Sequence, residues 1–333
     1  MNESSGPLGD PVDPMITIIV PCYNEAEVLP MFHQRLSKVM SGIGLRWSVL
    51  YVDDGSSDAT FKIISGLRAS CDCVSILSLS RNFGKEAAMT AGLDHCDADA
   101  VIIIDADLQD PPEVIPELIE VWRAGADVAY AQRRTRLGET WLKRSTSSAF
   151  YRVMANIGRA HLPRDTGDFR IMSRRAVDAL LRLREHHRFM KGLFAWIGFG
   201  QVAVPYDRAP RLAGQSKWNY WQLWNLAVEG MTGFTVLPLK LATYIGLLVA
   251  ALSVLYGFVI ILDTLVLGSP VAGYPSLITV VLLLGGIQLI FLGVLGEYLG
   301  RVFNEVKARP LYIVDQAVPA ARLRLRKDTN IGS

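Results

Sequence analysis

Short apolar, β-branched runs recur through the N-terminal half of the chain, separated by longer amphipathic stretches. Met15–Val20, Trp47–Val52, Val74–Leu79, Val101–Ile104 and Asp127–Ala131 each read as a strand. A helix follows the first strand to about Met40. A second helix opens where Ser57 or Asp58 can cap it, and a third runs to about Gly92. Pro111 and Pro112 stop the fourth strand and can start a helix carrying Glu113, Glu117 and Glu120. Strands alternating with helices predict an α/β fold with a mostly parallel sheet, whose ligands bind outside the carboxyl ends of the strands.

The pattern then changes. Thr166-Gly-Asp168-Phe-Arg170 precedes an arginine-rich helix expected to reach about Arg188. Trp218, Tyr220, Trp221 and Trp224 have the spacing of a helix lying in a membrane interface. Leu241–Leu262 and Ser276–Gly296 contain no charged residue, and each matches the roughly 20 residues that cross a bilayer. Lys240 precedes the first stretch, Arg301, Lys307 and Arg309 follow the second, and the turn between them has no Lys or Arg. This asymmetry places both ends in the cytoplasm and a short hairpin outside. Residues 1–14 read as a flexible leader rather than a signal peptide, 15–217 as the α/β domain, 218–239 as the interfacial segment and 240–300 as a two-helix membrane hairpin. Residues 301–333 read as a basic cytoplasmic tail, poorly ordered from Ala317.

Composition agrees with membrane segments: half of the 333 residues are hydrophobic. A net charge of +2 is too small to imply nucleic-acid binding. The four cysteines (Cys22, Cys71, Cys73, Cys96) show no C-x-x-C spacing and read as reduced thiols, and the five histidines form no zinc motif. Neither phosphate-cradling glycine motif, G-x-x-x-x-G-K-[ST] nor G-x-G-x-x-G, occurs. What stands out is where the polar clusters fall. Tyr23–Glu25, Asp53–Asp54, Lys85 and Asp105–Gln109 all lie at strand ends on one edge. Asp105-Ala-Asp107 alone could be an acidic turn that ends a strand. Beside the other clusters it reads as a site, because paired carboxylates need a cation or donors, and hard oxygens suit Mg²⁺ or Mn²⁺ on a diphosphate. The basic stretch from Gln132 and the loop Arg208–Lys217 read partly as solvated surface. They also read as cations facing anionic lipid and a phosphate.

I-V-P-C-Y-N-E, V-D-D-G-S-S-D, S-R-N-F-G-K-E, D-A-D-L-Q-D-P-P-E, T-G-D-F-R and G-Q-S-K-W, in this order, resemble the family-2 glycosyltransferases that charge polyprenyl phosphates. The two apolar spans are similar to those of the bactoprenol glucosyltransferase and aminoarabinosyltransferase-like subgroup; dolichyl-phosphate mannose synthases share the catalytic domain. The resemblance covers about residues 15–314. It implies a GT-A, Rossmann-like domain and metal-dependent, inverting transfer of one sugar from a nucleotide donor to a lipid phosphate. It further implies a bacterial inner-membrane location and a homo-oligomer, a tetramer. Carried across, Pro21, Tyr23, Glu25, Asp53, Asp54, Lys85 and Asp105 are expected at the nucleotide, with Asp54 reading the base edge and Asp105 near the ribose or sugar. Asp107 and Gln109 are expected at the metal, and Asp168, with Asp105, at the chemistry. Arg133, Arg136, Arg211, Ser216 and Lys217 are candidates for the acceptor phosphate. Cys22 departs from the first motif but is small enough to fit. UDP-glucose is the preferred donor, with UDP-4-amino-arabinose, UDP-N-acetylhexosamine and GDP-mannose as alternatives. A processive polysaccharide synthase would be expected to carry more spans and a Q-x-x-R-W motif. A non-catalytic nucleotide-sugar-binding scaffold would not need the acidic motifs.

Overall fold

A computed structural model describes residues 14–134, 166–186, 188–207, 237–267 and 273–320. The described residues fall into two units, one built on a β-sheet and one helical. In the first, β1 (Met15–Cys22), α1 (Leu29–Ile43), β2 (Arg46–Asp53), α2 (Thr60–Ser70), β3 (Val74–Leu79), α3 (Lys85–Asp94) and β4 (Ala100–Ile103) alternate as expected. A 3₁₀ turn at Pro112–Val114 leads into α4 (Ile115–Arg123), followed by β5 (Val128–Arg133). β6 (Thr166–Ser173), α5 (Arg174–Leu181), α6 (Met190–Trp196) and β7 (Gln201–Tyr206) follow. The eight-stranded sheet has the order β7-β5-β6-β4-β1-β2-β3-β8, where β8 is Val314–Val318. β1 to β4 run parallel, whereas β6 is antiparallel to both β4 and β5, and β8 is antiparallel to β3.

The strands lack polar alternation because helices cover both faces. Ile16, Ile18, Ile19 and Val20 are all fully buried, as are Val49 to Val52 and Val101 to Ile103. α4 is buried on one stripe, Ile115, Leu118 and Ile119, at the spacing of one helical face. α3 has small residues on every side, Ala87-Ala-Met-Thr-Ala-Gly-Leu93, and sits very close to the sheet. A Cβ on Gly92 would lie 2.5 Å from Ile19 Cγ2. That close approach presses α3 onto β1 and β2 and fixes its first residue, Lys85, above the carboxyl edge of the sheet.

Three expectations change. The arginine-rich helix expected to reach about Arg188 is only Arg174–Leu181, and Thr166–Arg170 before it opens a strand. Residues 314–318 form a strand, so the poor order expected from Ala317 does not begin there. They pair with β3, Ile313 O accepts from Ser80 N–H at 2.9 Å, and Tyr312 Oη donates to Asp94 at 2.8 Å. Cys71 and Cys73 are joined in a disulfide, their Cα atoms 5.3 Å apart and within bridging range, while Cys22 and Cys96 are free and buried.

The helical unit holds α7 (Leu237–Leu267, 31 residues) and α8 (Tyr274–Val306, 33 residues), so both uncharged stretches fold as long helices. They touch where Gly246 leaves room for Phe291. Their flanks are apolar and open: Leu247 is 69% and Leu289 70% exposed. Among the described residues one stretch, Leu283–Val306, is long and apolar enough by composition to cross a membrane.

Candidate active site

The loops after β1, β2 and β3 interlock through backbone contacts. Asn24 takes a positive φ of 54°, its N–H donates to Ser56 Oγ at 3.0 Å, and its side chain accepts from Ser57 N–H at 2.8 Å. Asp58 accepts from the N–H groups of Ala26 and Thr60. Gly55, at φ 64°, lies against the next loop, where a Cβ would come within 2.4 Å of the Arg81 carbonyl carbon. Only glycine tolerates both that conformation and that contact.

Asp53 and Asp54 belong to this scaffold. Asp53 accepts from Ser56 N–H at 3.2 Å and from the Ser78 hydroxyl at 3.3 Å. Asp54 accepts from Phe83 N–H at 2.7 Å and Gly84 N–H at 2.9 Å, just ahead of α3. From a remote loop it serves α3 as a capping side chain would. Both carboxylates are buried. Each Asp54 oxygen accepts one backbone donor, and through these contacts Asp54 organises the Lys85 loop.

The next cluster behaves differently. β6 runs antiparallel to β4 with Ile103 opposite Arg170, so continuing both strands brings Asp105 and Asp168 together at the carboxyl edge. Lys85 Nζ lies between them, 2.6 Å from an oxygen of each. The other Asp168 oxygen, Oδ1, is buried and has no hydrogen-bond partner among the described residues. Burial pushes Asp168 up, but Lys85, Lys191 and Arg170 outweigh it and hold the carboxyl below its usual range. For Asp105 burial wins over Lys85, with Asp168 adding to the upward shift. The two acids are thus driven apart in acidity.

Asp107 and Gln109 flank Leu108, whose side chain is fully buried at φ 59°, an uncommon conformation for a non-glycine residue. That turn aims Asp107 outward, half-buried, and Gln109 inward, with Gln109 N–H donating to Asp107 Oδ1 at 3.1 Å. At the β1 end Tyr23 is 45% exposed, with Pro21 and Glu25 half-buried beside it. Arg133 donates to Tyr206 Oη at 3.2 Å and lies 3.6 Å from Asp110, which also accepts from the Tyr206 hydroxyl. Its guanidinium is therefore tied into the protein. Arg136, Arg211, Ser216 and Lys217, with residues 218–236 of the interfacial segment, lie outside the described residues.

Sequence reading missed Glu86, Asp110, Arg170, Lys191 and Tyr206. Arg170 is buried beneath the Phe194 ring, 3.6 Å from its centroid, and donates to the carbonyls of Gly167 and Asp168; burial lowers its pKa to about 10. Glu86 and Asp110 stand inside quoted motifs and could have been flagged by adjacency. Lys191 and Tyr206 carry no local signal.

Among the described residues no three His, Cys, Asp or Glu side chains group to hold a metal unaided. A Mg²⁺-like ion that keeps waters and takes substrate phosphate oxygens needs only one or two carboxylates. Asp107 meets that requirement, and the unpartnered Asp168 oxygen gives the edge further capacity for a positive centre.

Residues 17–181 match the model of glycosyl transferase family 2, and residues 237–302 match that of the GtrB C-terminal hairpin. A prophage-derived bactoprenol glucosyl transferase of Shigella flexneri is 50% identical over 91% of this chain and 98% of its own length. An uncharacterized glycosyltransferase of Synechocystis is 49% identical over 94% and 98%. A crystal structure of glucosyl-3-phosphoglycerate synthase from Mycobacterium tuberculosis, in complex with Mn²⁺ and UDP-glucose, covers 66% of this chain and 77% of that one, at 21% identity and a TM-score of 0.45.

Proposed function

Because this chain belongs to glycosyl transferase family 2 and carries the GtrB-type hairpin, we propose that it transfers glucose from UDP-glucose to polyprenyl phosphate at the cytoplasmic face of a bacterial inner membrane. The observation that carries the reading is the Lys85 bridge between Asp105 and Asp168 at the carboxyl edge of the sheet. Pro21, Tyr23, Glu25, Asp53, Asp54, Lys85 and Asp105 are the proposed nucleotide-side residues, with Asp53 and Asp54 also holding the loops that shape that side. Asp107 holds the divalent metal, and Gln109 acts through the N–H that fixes Asp107. The metal, Mg²⁺ or Mn²⁺, supplies charge stabilisation for the departing diphosphate.

The acceptor phosphate monoester has a second pKa of about 6 by comparison with phosphoserine, and so is already a nucleophile near neutral pH. A carboxylate held below its usual range is a weak base there. Asp168 therefore orients Lys85 and the phosphate rather than removing a proton at each turnover. Arg133, Arg136, Arg211, Ser216 and Lys217 remain the proposed acceptor-phosphate residues, with Arg133 acting from its fixed place on Tyr206. α7 and α8 form the membrane hairpin, with both ends cytoplasmic, and the tetramer implied by the resemblance belongs to the same proposal.

The test is a panel of radiolabelled nucleotide sugars given to membranes with undecaprenyl phosphate. UDP-glucose should give the labelled lipid fastest. Faster labelling from UDP-4-amino-arabinose, UDP-N-acetylhexosamine or GDP-mannose would move the donor assignment, and no lipid product from any donor would end the reading.

A further inference from the structure

Lys85, Lys191 and Arg170 act on Asp168, Arg133 acts on Lys191, and all of these cations but Lys191 are committed. Lys85 is held by Asp105 and Asp168, Arg170 by two backbone carbonyls beneath Phe194, and Arg133 by Tyr206 and Asp110. Lys191 makes no hydrogen bond or ion pair among the described residues, although it is half-buried and feels the charges of Asp168, Lys85, Arg133 and Arg170. A sequestered ammonium without a direct partner is costly. Burial pushes its pKa down, and the three neighbouring cations push it the same way. Its place is nonetheless well fixed. Met190 and Leu193 are fully buried on the same helix, and Met190 N–H donates to Glu86 Oε2 at 3.1 Å. The dipeptide Lys85-Glu86 thus grips the Asp105/Asp168 pair with one side chain and the start of α6 with the other.

We propose that the Lys191 ammonium is a phosphate ligand of this pocket and that Glu86 is the residue that positions it. An arriving phosphate supplies the missing counter-charge. The inference rests on the glycosyl-transfer reading for the source of that anion. A nucleotide diphosphate and a lipid phosphate monoester present the same oxyanion chemistry, and the experiment separates them.

UDP with Mg²⁺ is titrated calorimetrically into the full-length protein, and initial rates are measured against a short-chain polyprenyl phosphate. Lys191→Met should weaken one phosphate-bearing partner by about ten- to a hundredfold, the worth of a charge-assisted hydrogen bond. Lys191→Arg should recover most of it. Glu86→Ala should shift the same constant in the same direction, while Glu86→Gln, whose amide oxygen still accepts from Met190, should stay near wild type. A loss confined to UDP assigns the diphosphate; a loss confined to KM for the lipid assigns the acceptor. Both constants within twofold of wild type at an unchanged Tm would overturn the proposal. If Lys191→Met fails to fold, reductive methylation of the wild-type protein decides. Lys191 should be shielded by UDP or by polyprenyl phosphate, and equal labelling with and without both would overturn it. If the wild type transfers no sugar yet inorganic diphosphate still shields Lys191, the transfer reading falls and this one stands.

Discussion

Two acidic pairs sit on the same edge of one sheet, with β1 between the strands that carry them, and they are satisfied differently. Asp53 and Asp54, after β2, are buried, and each of their oxygens accepts a donor, from Ser56, Ser78, Phe83 or Gly84. Asp105 and its partner Asp168, at the ends of β4 and β6, share one lysine and leave a buried oxygen unmatched. A carboxylate with a donor on each oxygen is held in place by the protein around it. An unsatisfied one keeps binding capacity, and its cost has to be met elsewhere in the fold. Motif spelling does not separate these cases; accounting for donors does.

The contrast is most sharply tested at Asp107, which faces outward beside the unsatisfied pair. Asp107→Ala should nearly abolish turnover, EDTA should do the same to the wild type, and Mg²⁺ or Mn²⁺ should restore it. Full activity in EDTA would remove the metal from the scheme. Next in size is Asp168→Asn, which should lower kcat by roughly a hundredfold or more, within the range one positioned polar group supplies. Calorimetry should still find UDP bound, since the nucleotide-side loops are untouched.

Asp54→Asn should show the opposite profile. Replacing one acceptor oxygen by an amide leaves a Phe83 or Gly84 N–H without its partner, a loss of about 1–3 kcal/mol. The melting temperature should fall, with kcat reduced far less than in Asp168→Asn. Abolished turnover at an unchanged melting temperature would mean that Asp54 serves the nucleotide alone and not the loop, and the comparison would collapse.

The smallest effect is a pH dependence of stability at Glu86. Burial raises its pKa from 4.5 to about 7; Asp168 adds to the rise, while Met190 N–H, Lys85 and Lys191 oppose it. The folded protein therefore holds a proton that the unfolded chain has released, and stability falls as pH rises from about 4.5 through 7. Denaturant unfolding at pH 5 and pH 8 should show wild type losing on the order of 1–3 kcal/mol more than Glu86→Gln across that interval. Equal slopes would place Glu86 in water.

The sequence by itself determined the local elements and the edge on which chemistry gathers. Unbroken β-branched runs specify buried strands, proline pairs and glycines punctuate them, and parallel order sends each polar cluster to the carboxyl side. Those are nearest-neighbour properties, legible in a window of ten residues. Tertiary structure alone decided the rest. It turned β6 against β4 so that Asp168 reached Lys85 across 83 positions, gave β3 an edge strand from residues 314–318, and brought Lys191 beside an acid with which it makes no direct pair. The reason is that antiparallel pairing and the count of donors around a carboxylate depend on which distant segments arrive. Asp54 and Asp168 are the same residue type, and only tertiary structure gave the first a backbone N–H on each oxygen and the second a lysine on one oxygen.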